Sequence, residues 1–559
     1  MSAKRILVVG GVAGGMSAAA RARRLSEDAK IIVFERGPYP SFANCGLPYY
    51  LGGEIVDHDD LLVQTPENLR SRFNLDVRVF NEVFAIDRAA RQVRVRRLKT
   101  GEEYTEAYDA LVLAPGATPL KPPIPGIDRP GHFTLRTIPD VDAMDAWINQ
   151  RHPQRALIVG GGFIGLEMAE QLTRRGLRVT LVEAFPQVMN ALDVEIAAHI
   201  HAELRANGVD LHLADPVVRF DDGAGASIAV LQSGKAIPAD IVVLGMGVKP
   251  EVTLARDAGL EIGALGGIRV NERLQTSDPA IWAVGDAIEV RHAITGEWSL
   301  VPLAGPANRQ GRLAADAIMG RPVHCPAVLG TGIVRTFGIT AAGVGASEKQ
   351  LQRAGMPYQA VHIHSMSHAG YYPGAKPMTI KLLFDPQSGR VLGAQVAGRE
   401  GVDKRIDVLA TAIRGKMTVA DLEDLELSYA PPFSSARDPV NLAGMVANNA
   451  LKGDVSLAQW TEVDRIDRER TVLLDVRQPE EHRAGAIPGS VNIPLPELRR
   501  RLSELPKDKE VVAYCMIGQR SYYACRILSA HGIKCRNLTG AYRTWQAGSK
   551  GCEGELRKP

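Results

Sequence analysis

No run of about 18 apolar residues occurs in the 559-residue chain, so no transmembrane span is read from it. Neither sign of charge is in excess. The 66 Lys and Arg residues stand against 63 Asp and Glu, a net +3, which does not mark a nucleic-acid binder; any anion site has to come from local clusters. The apolar stretch near the start, Ile6-Leu7-Val8-Val9, is too short for a secretory signal and reads as a strand, so the expected location is cytoplasmic. Cysteine is scarce: Cys45, Cys325, Cys515, Cys525, Cys535 and Cys552. Their spacing fits neither a disulfide framework nor a zinc site. In a reducing compartment free cysteines are mostly small buried hydrophobes. That is the expectation for Cys325, Cys525 and Cys535, while Cys552 sits in a polar tail. No second cysteine accompanies Cys45 before Cys325.

The length suggests about three to four domains. Arg5–Gly10 has a buried-strand pattern, followed by glycines, an Ala-rich helix Met16–Leu25 and a strand Ile31–Glu35, a βαβ start. The pattern recurs as Arg155–Gly160, a helix from about Phe163 to Arg175, and a strand Arg178–Glu183. In the second copy Gly160-Gly161-Gly162-Phe163-Ile164-Gly165 fits G-x-G-x-x-G. Its glycines permit a tight turn and a close approach by a pyrophosphate, which then sits on a helix N-terminus. Glu183 follows Gly165 by 18 residues, where a carboxylate accepts hydrogen bonds from a ribose 2′-hydroxyl. It would repel a 2′-phosphate, so NADH is favoured, with NADPH the second option. The first copy, Gly10-Gly11-Val12-Ala13-Gly14-Gly15, has Val12 where the second glycine usually sits, and Glu35 follows at its strand end.

A third element assigns the nucleotides. Thr276-Ser277-Asp278-Pro279-Ala280-Ile281-Trp282-Ala283-Val284-Gly285-Asp286 resembles the second FAD motif of two-dinucleotide-domain flavoproteins, and Leu113-Ala114-Pro115-Gly116-Ala117 resembles their short signature at the crossing between domains. With the two glycine motifs, residues 4–445 resemble the pyridine nucleotide–disulfide oxidoreductases. The resemblance implies FAD in the first domain, NADH in the second and Asp286 on the ribityl chain. It adds Arg36, Asn44, Gly247, Pro302 and Ala304 to the cofactor positions. The fold implied is α/β: two Rossmann-like domains (FAD, 1–120 and 246–324; NAD, 121–245), an α+β dimerisation domain (325–446) and a separate C-terminal α/β domain (456–559), with the last boundary in Ala447–Ser456.

Relatives that reduce protein or glutathione disulfides carry two cysteines five apart near the first helix. Here Ser41-Phe42-Ala43-Asn44-Cys45-Gly46 offers one, which has to make a mixed disulfide, a persulfide or a sulfenic acid. This context resembles the single-cysteine NADH peroxidases, NADH oxidases and coenzyme A-disulfide reductases. The first two usually carry a His just after the opening glycines; Val12-Ala13-Gly14 occupies that stretch, so the coenzyme A-disulfide reductase branch is the better match. In that branch two tyrosines of the partner subunit of a homodimer approach the active sulfur. Tyr371 and Tyr429 match their contexts, with Tyr372 competing for the first role; a phenol could donate a proton to a leaving thiolate. The branch also binds coenzyme A near the cysteine. Ser17, Arg21 and Arg24, spaced four and three apart, share a helix face, and Arg suits phosphate, although a solvated face is the plainer reading. Ser41, Phe42, Asn44, Asn308 and Arg437 match further coenzyme positions. Phe163 resembles an aromatic gate over the flavin, with Glu167 one turn on.

Asp475-Val476-Arg477-Gln478-Pro479-Glu480-Glu481-His482, and then Gly485 to Pro494, resemble the rhodanese signature over about residues 456–550. Tyr514-Cys515-Met516-Ile517-Gly518-Gln519-Arg520-Ser521 joins a strand to a helix, and backbone N–H groups of such a loop can converge on the sulfur. Cys515 and Arg520 bound a six-residue loop, one shorter than in phosphatases with a similar turn, which favours sulfane sulfur. Together the resemblances match coenzyme A-disulfide reductases with a rhodanese extension, which act on small persulfides and polysulfides. An oxygen- or peroxide-reducing NADH oxidase and a flavin-based redox sensor remain the alternatives.

Overall fold

The computed structural model describes residues 4–223 and 225–551, so Cys552 lies outside the described residues. The chain divides into two compact units, residues 1–182 with 216–330, and residues 183–215 with 331–559.

Two parallel sheets organise the first unit. One has the order Ile281–Ala283, Ala110–Leu113, Arg5–Val9, Lys30–Glu35, Asp76–Val79. Its strands are near-continuous runs of Val, Ile, Leu and Phe, and Ile6, Leu7, Val8, Ile31, Ile32, Val33, Leu111 and Val112 are buried, as strands covered on both faces must be. The other contains Arg178–Val182, Arg155–Val159, Ile241–Leu244 and His132–Phe133, also parallel. Each glycine motif joins a central strand to a helix, Ala13–Leu25 in the first and Phe163–Arg174 in the second. The first helix begins three residues before the expected Met16 and takes Gly14 and Gly15 into its first turn. Close approach requires them there: a Cβ on Gly15 would lie 1.9 Å from the Gly10 carbonyl oxygen, and one on Gly14 2.9 Å from the Val284 side chain. Helix Ala304–Ile318 packs on Ala13–Leu25 through a backbone approach at Gly311, where a Cβ would meet the Gly14 oxygen at 2.1 Å. The crossing near residues 115–130 is tied by antiparallel pairing of Ala117–Pro119 with Val248–Pro250.

The second unit holds a five-stranded antiparallel sheet in the order Gly332–Thr336, Ile339–Gly345, Val391–Gly398, Pro377–Phe384, Gln359–Met366. Helices Val402–Arg414 and Pro439–Leu451 accompany it. Helix Pro439–Leu451 runs into the expected boundary stretch, and the next strand begins at Ser456, so only residues 452–455 fall between elements. A second sheet, all parallel, follows: Ser456–Ala458, Cys535–Leu538, Glu510–Tyr514, Thr471–Asp475, Val491–Asn492. Its core includes Leu473, Leu474, Val511, Val512, Tyr514 and Leu528. The C-terminal sheet's flank docks on strand Gln359–Met366 by side-chain bonds. The His362 amide donates to Thr539 Oγ1 at 2.8 Å, Gln459 Nε2 donates to the Ala360 oxygen at 3.0 Å, and His364 Nε2 lies 2.9 Å from Thr544 Oγ1.

Beneath that strand lies a buried charge cluster. Lys381 is fully buried and its ammonium contacts Asp193 at 2.9 Å, Glu195 at 2.5 Å and Glu348 at 2.5 Å; His362 Nε2 is 2.8 Å from Glu195. Burial opposes both charges. The carboxylates nevertheless hold Lys381 well above the usual lysine range, and Lys381 and His362 hold Glu195 well below the usual carboxylate range. Two cysteine expectations need correction. Cys525 is buried, but Cys325 and Cys535 are only half-buried: Cys325 lies outside any helix or strand, and Cys535 opens a strand beside the turn after helix Gln519–Ala530.

Candidate functional site

The cysteine loop in the first unit is anchored to the first glycine turn. The Ser41 amide donates to the Gly11 oxygen at 2.7 Å, and Phe42 bridges Leu62. Ser41 takes a left-handed φ of 51° to do so. Cys45 sits in a single 3-10 turn, Asn44–Gly46, leading into the short helix Leu47–Leu51. Its thiol is exposed and lies 3.7 Å from Asn44 Oδ1. The short helix packs on the helix of the second glycine motif. Tyr49 Oη donates to Glu167 at 3.1 Å, Arg175 donates to the Leu51 oxygen at 2.9 Å, and Gly52 abuts Gln171 so closely that a Cβ there would overlap its side chain. Glu167 is thereby brought to the thiol. Desolvation first, then the negative charges of Glu167 and Asp286, pushes the Cys45 thiol above its ordinary value.

At the first glycine turn Gly10 has φ 96°, and a Cβ would meet the Ala114 oxygen at 2.1 Å. No side chain caps the helix that starts after Val12. Glu35 stands at its strand end, accepting from the Gly11 amide at 2.9 Å and the Gly37 amide at 2.8 Å. Asp286 follows strand Ile281–Ala283 in a short turn whose Gly285 amide donates to Gln310 at 2.8 Å. Desolvation raises the Asp286 carboxyl against the pull of Arg136. Arg136 escaped the sequence reading. Its guanidinium donates to the Pro115 oxygen at 3.0 Å beside Gly116, and burial, then Arg36, lowers it, while Glu251, Glu35 and Asp286 act in the opposite sense. Its only sequence signal is its place before the Thr137 capping box. The Gly247 carbonyl accepts from the Leu120 amide at 2.9 Å. Pro302 and Ala304 are exposed at the start of helix Ala304–Ile318.

The second glycine turn repeats the geometry: Gly160 has φ 108°, Gly165 packs on the Gly160 oxygen, and a Cβ on Gly162 would meet nothing within 4 Å. Phe163 and Ile164, both half-buried, open the helix. Glu183 directly follows strand Arg178–Val182, and its carboxylate accepts from the Phe185 amide at 2.9 Å.

The candidate coenzyme A positions divide. Ser17 Oγ donates to Asn308 Oδ1 at 2.6 Å, so helix packing brings these two together. Arg21 instead contacts Asp316 at 2.7 Å, with both side chains largely buried, and Arg24 is exposed. Arg437 is exposed in the second unit.

In that unit Tyr371 and Tyr429 meet hydroxyl to hydroxyl at 2.7 Å, and they are 76% and 47% exposed. Tyr372 turns away to an edge contact with His368, so Tyr371 is the one that meets Tyr429. A buried network fixes the two loops. Arg405 donates to Asp438 at 2.9 Å, to Ser434 at 3.2 Å and to the Ser367 oxygen at 2.9 Å, and the Ala369 amide donates to the Ser434 oxygen at 3.0 Å. The hydrogen bond to Tyr429 raises the Tyr371 phenol. Phe433, 70% exposed, adds to the aromatic surface.

Cys515 is buried at the end of strand Glu510–Tyr514. Gly518, at φ 103°, donates its amide to the sulfur at 3.1 Å, and Ser521 Oγ lies 3.6 Å away at the start of helix Gln519–Ala530. Arg520 stands beside the sulfur and reaches Glu481 through both terminal nitrogens, at 2.6 and 2.7 Å. Behind the loop Arg477 chelates Asp475, which also contacts His482 at 2.9 Å.

Two nucleotide turns, a lone cysteine packed beside the second turn's helix, and a sheet with an exposed aromatic pair define a flavin- and pyridine-nucleotide-dependent oxidoreductase. The chain belongs to the pyridine nucleotide-disulphide oxidoreductase family, whose model matches residues 4–311; that family's dimerisation domain matches 333–440 and a rhodanese-like domain matches 461–548. It is 35% identical over 447 residues to the coenzyme A disulfide reductase of Staphylococcus haemolyticus (strain JCSC1435), covering 80% of this chain and all of that protein. Among solved structures it is similar to the reduced CoADR-RHD of Bacillus anthracis (49% identity, TM-score 0.96, 98% of this chain and 99% of that one) and to a NAD-dependent persulfide reductase from A. fulgidus (39%, TM-score 0.90, 97% and 100%). The open cradle before Gly162 and the Glu35, Asp286 and Arg136 cluster fit the NAD(H) and FAD that this family uses. Among the described residues no cluster of His, Cys, Asp or Glu could hold a metal, and no helix is long and apolar enough to cross a membrane.

Proposed function

We propose that this chain is an NADH-driven reductase of small persulfides and disulfides, coenzyme A persulfide and coenzyme A disulfide foremost, with a C-terminal sulfurtransferase module. The observation that carries the reading is Cys45: a free, exposed thiol without a neighbouring cysteine, on a turn braced by the second glycine motif's helix. The names of the relatives support the substrate class. Cys45 thiolate attacks the outer sulfur of R–S–SH; the S–S bond breaks and RS⁻ leaves, so Cys45 carries the persulfide. Asp286, Arg136 and Glu35 would hold FAD, which would supply the two-electron chemistry linking NADH to this sulfur. Two electrons and one proton then convert Cys45–S–SH to the Cys45 thiolate and hydrosulfide in its protonated form. Glu183 accepts the ribose hydroxyls and favours NADH. Tyr371 and Tyr429, contributed by the second subunit of a homodimer, donate the proton to the leaving thiolate. Ser17, Asn308 and Arg24 contact coenzyme A, and Arg437 is a further candidate position for it. Cys515 accepts sulfane sulfur in the C-terminal module.

The test is steady-state NADH oxidation with hydrosulfide detection against coenzyme A disulfide, coenzyme A persulfide and polysulfide, for wild type and Cys45→Ser. Cys45→Ser should keep FAD and its reduction by NADH while losing persulfide turnover. Turnover retained above about a tenth of wild type, the loss expected for removing an essential nucleophile being far larger, would remove Cys45 from the chemistry. NADH loss in air at the same rate without any sulfur compound would make the chain an oxidase instead.

A further inference from the structure

The Cys515 loop contains one cation, Arg520; its other members, Met516, Ile517, Gly518 and Gln519, are uncharged. That cation is already committed. Glu481, on the short helix Pro479–Arg483, takes both of its terminal nitrogens in a fork-to-fork pair. Arg520 holds the Glu481 carboxyl down to about 2, so the pair is ionised at every working pH. Two other guanidiniums of this region are paired elsewhere: Arg477 is locked onto buried Asp475, and Arg483 pairs with Glu480. Met516 and Ile517 are half-buried in the loop, and the loop's own single cation is the one Glu481 neutralises.

We infer that Glu481 determines which sulfur donor this module accepts: by neutralising Arg520 it disfavours dianionic donors such as thiosulfate and favours donors of low charge, the persulfides of small thiols. This rests on the reading of Cys515 as a sulfane-sulfur acceptor. With a persulfide, Cys515 thiolate attacks the outer sulfur, the S–S bond breaks and RS⁻ departs with the electron pair; one anion becomes one anion. With thiosulfate, a thiolate meets a dianion, and sulfite leaves as a dianion. The second encounter brings three negative charges to the buried Cys515 sulfur, beside a loop whose own cation is already shared with Glu481. In low dielectric such repulsion is strong, and a bidentate carboxylate is a better partner for the guanidinium than a transient oxyanion.

The experiment measures thiocyanate formation from cyanide by the full chain, with thiosulfate and with cysteamine persulfide as donors. The compared forms are wild type, Glu481→Gln, which removes the charge, and Glu481→Asp, which keeps it on a shorter arm. Thermal melting confirms that each variant is folded. In wild type kcat/KM for thiosulfate should be at least about tenfold below that for the persulfide. Glu481→Gln should raise the ratio of thiosulfate to persulfide kcat/KM by roughly tenfold, mainly through a lower thiosulfate KM, as expected when one full charge is removed; Glu481→Asp should leave the ratio near wild type. An unchanged ratio in Glu481→Gln, or an equal rise in Glu481→Asp, would overturn the proposal and leave the pair as a brace for the loop. No thiocyanate with either donor, and no added sulfur on Cys515 by mass spectrometry in any form, would instead overturn the underlying reading of the module.

Discussion

At the scale of single residues, chemistry is set by which charges the fold parks beside each sulfur. Cys45 has carboxylates at hand, Glu167 and Asp286, and desolvation acts in the same direction, so its thiol lies above the ordinary value of about 8.5. A thiol raised in this way is mostly protonated at neutral pH, and its thiolate fraction climbs as pH rises through the alkaline range. Removing one of the negative charges should pull that rise to lower pH. Glu167→Gln should therefore shift the pH profile of Cys45 alkylation by iodoacetamide downward in the oxidised enzyme, with FAD content unchanged. A profile that stays in place would take Glu167 out of the thiol's electrostatic surroundings. Cys515 is placed differently, with an amide, a hydroxyl and a guanidinium turned toward it. One chain thus carries two sulfur centres with different neighbours: carboxylates beside Cys45, hydrogen-bond donors beside Cys515.

At the scale of elements, the parts legible in the sequence are those that repeat a local rule. Both strand–glycine–helix units follow from hydrophobic runs and glycine spacing, with the acidic residue Glu35 ending the first unit's second strand and Glu183 directly following the second's. The first helix start was misplaced because Gly14 and Gly15 look like loop residues; only packing against Gly10 and Val284 shows that they must be helical glycines. The Lys381 cluster was not legible. Asp193, Glu195, Glu348 and Lys381 share no local pattern, and they come together only when helix Val194–Ala206 packs in the same unit as the antiparallel sheet. Its energetics are severe. Lys381→Met would leave two buried carboxylates, Asp193 and Glu195, and the half-buried Glu348 without their cation, a loss of about 3–5 kcal/mol, measurable as a fall in the denaturant midpoint of the second unit. The pH dependence has a definite sign. Glu195 is held below its unfolded value, so its contribution is complete above about pH 5 and is lost as pH falls through and below the carboxylate range. A Lys381→Met variant as stable as wild type at neutral pH would mean that its carboxylates simply take up protons.

At the scale of the whole molecule, the exposed Tyr371–Tyr429 pair and Phe433 are an aromatic surface on a domain that matches the family's dimerisation module. Exposed aromatic patches of this kind mark interaction sites. A mixed dimer tests what it completes. With Cys45→Ser in one subunit and Tyr371→Phe plus Tyr429→Phe in the other, tyrosines that cross the interface leave one native site and about half the wild-type rate, one of two sites being intact. Tyrosines that serve their own subunit leave none. The readout is persulfide-dependent NADH oxidation, with both parent homodimers as the baseline.

Strand Gln359–Met366 is the last of its sheet, and its outward His362 amide and Ala360 carbonyl are answered by Thr539 and Gln459 rather than by another strand. The C-terminal module is therefore also a guard against promiscuous association, because a bare strand edge is a template for pairing with any extended chain. A chain ending at Leu451 would leave that edge open. In this molecule, sulfur transfer and protection from aggregation are built into one module.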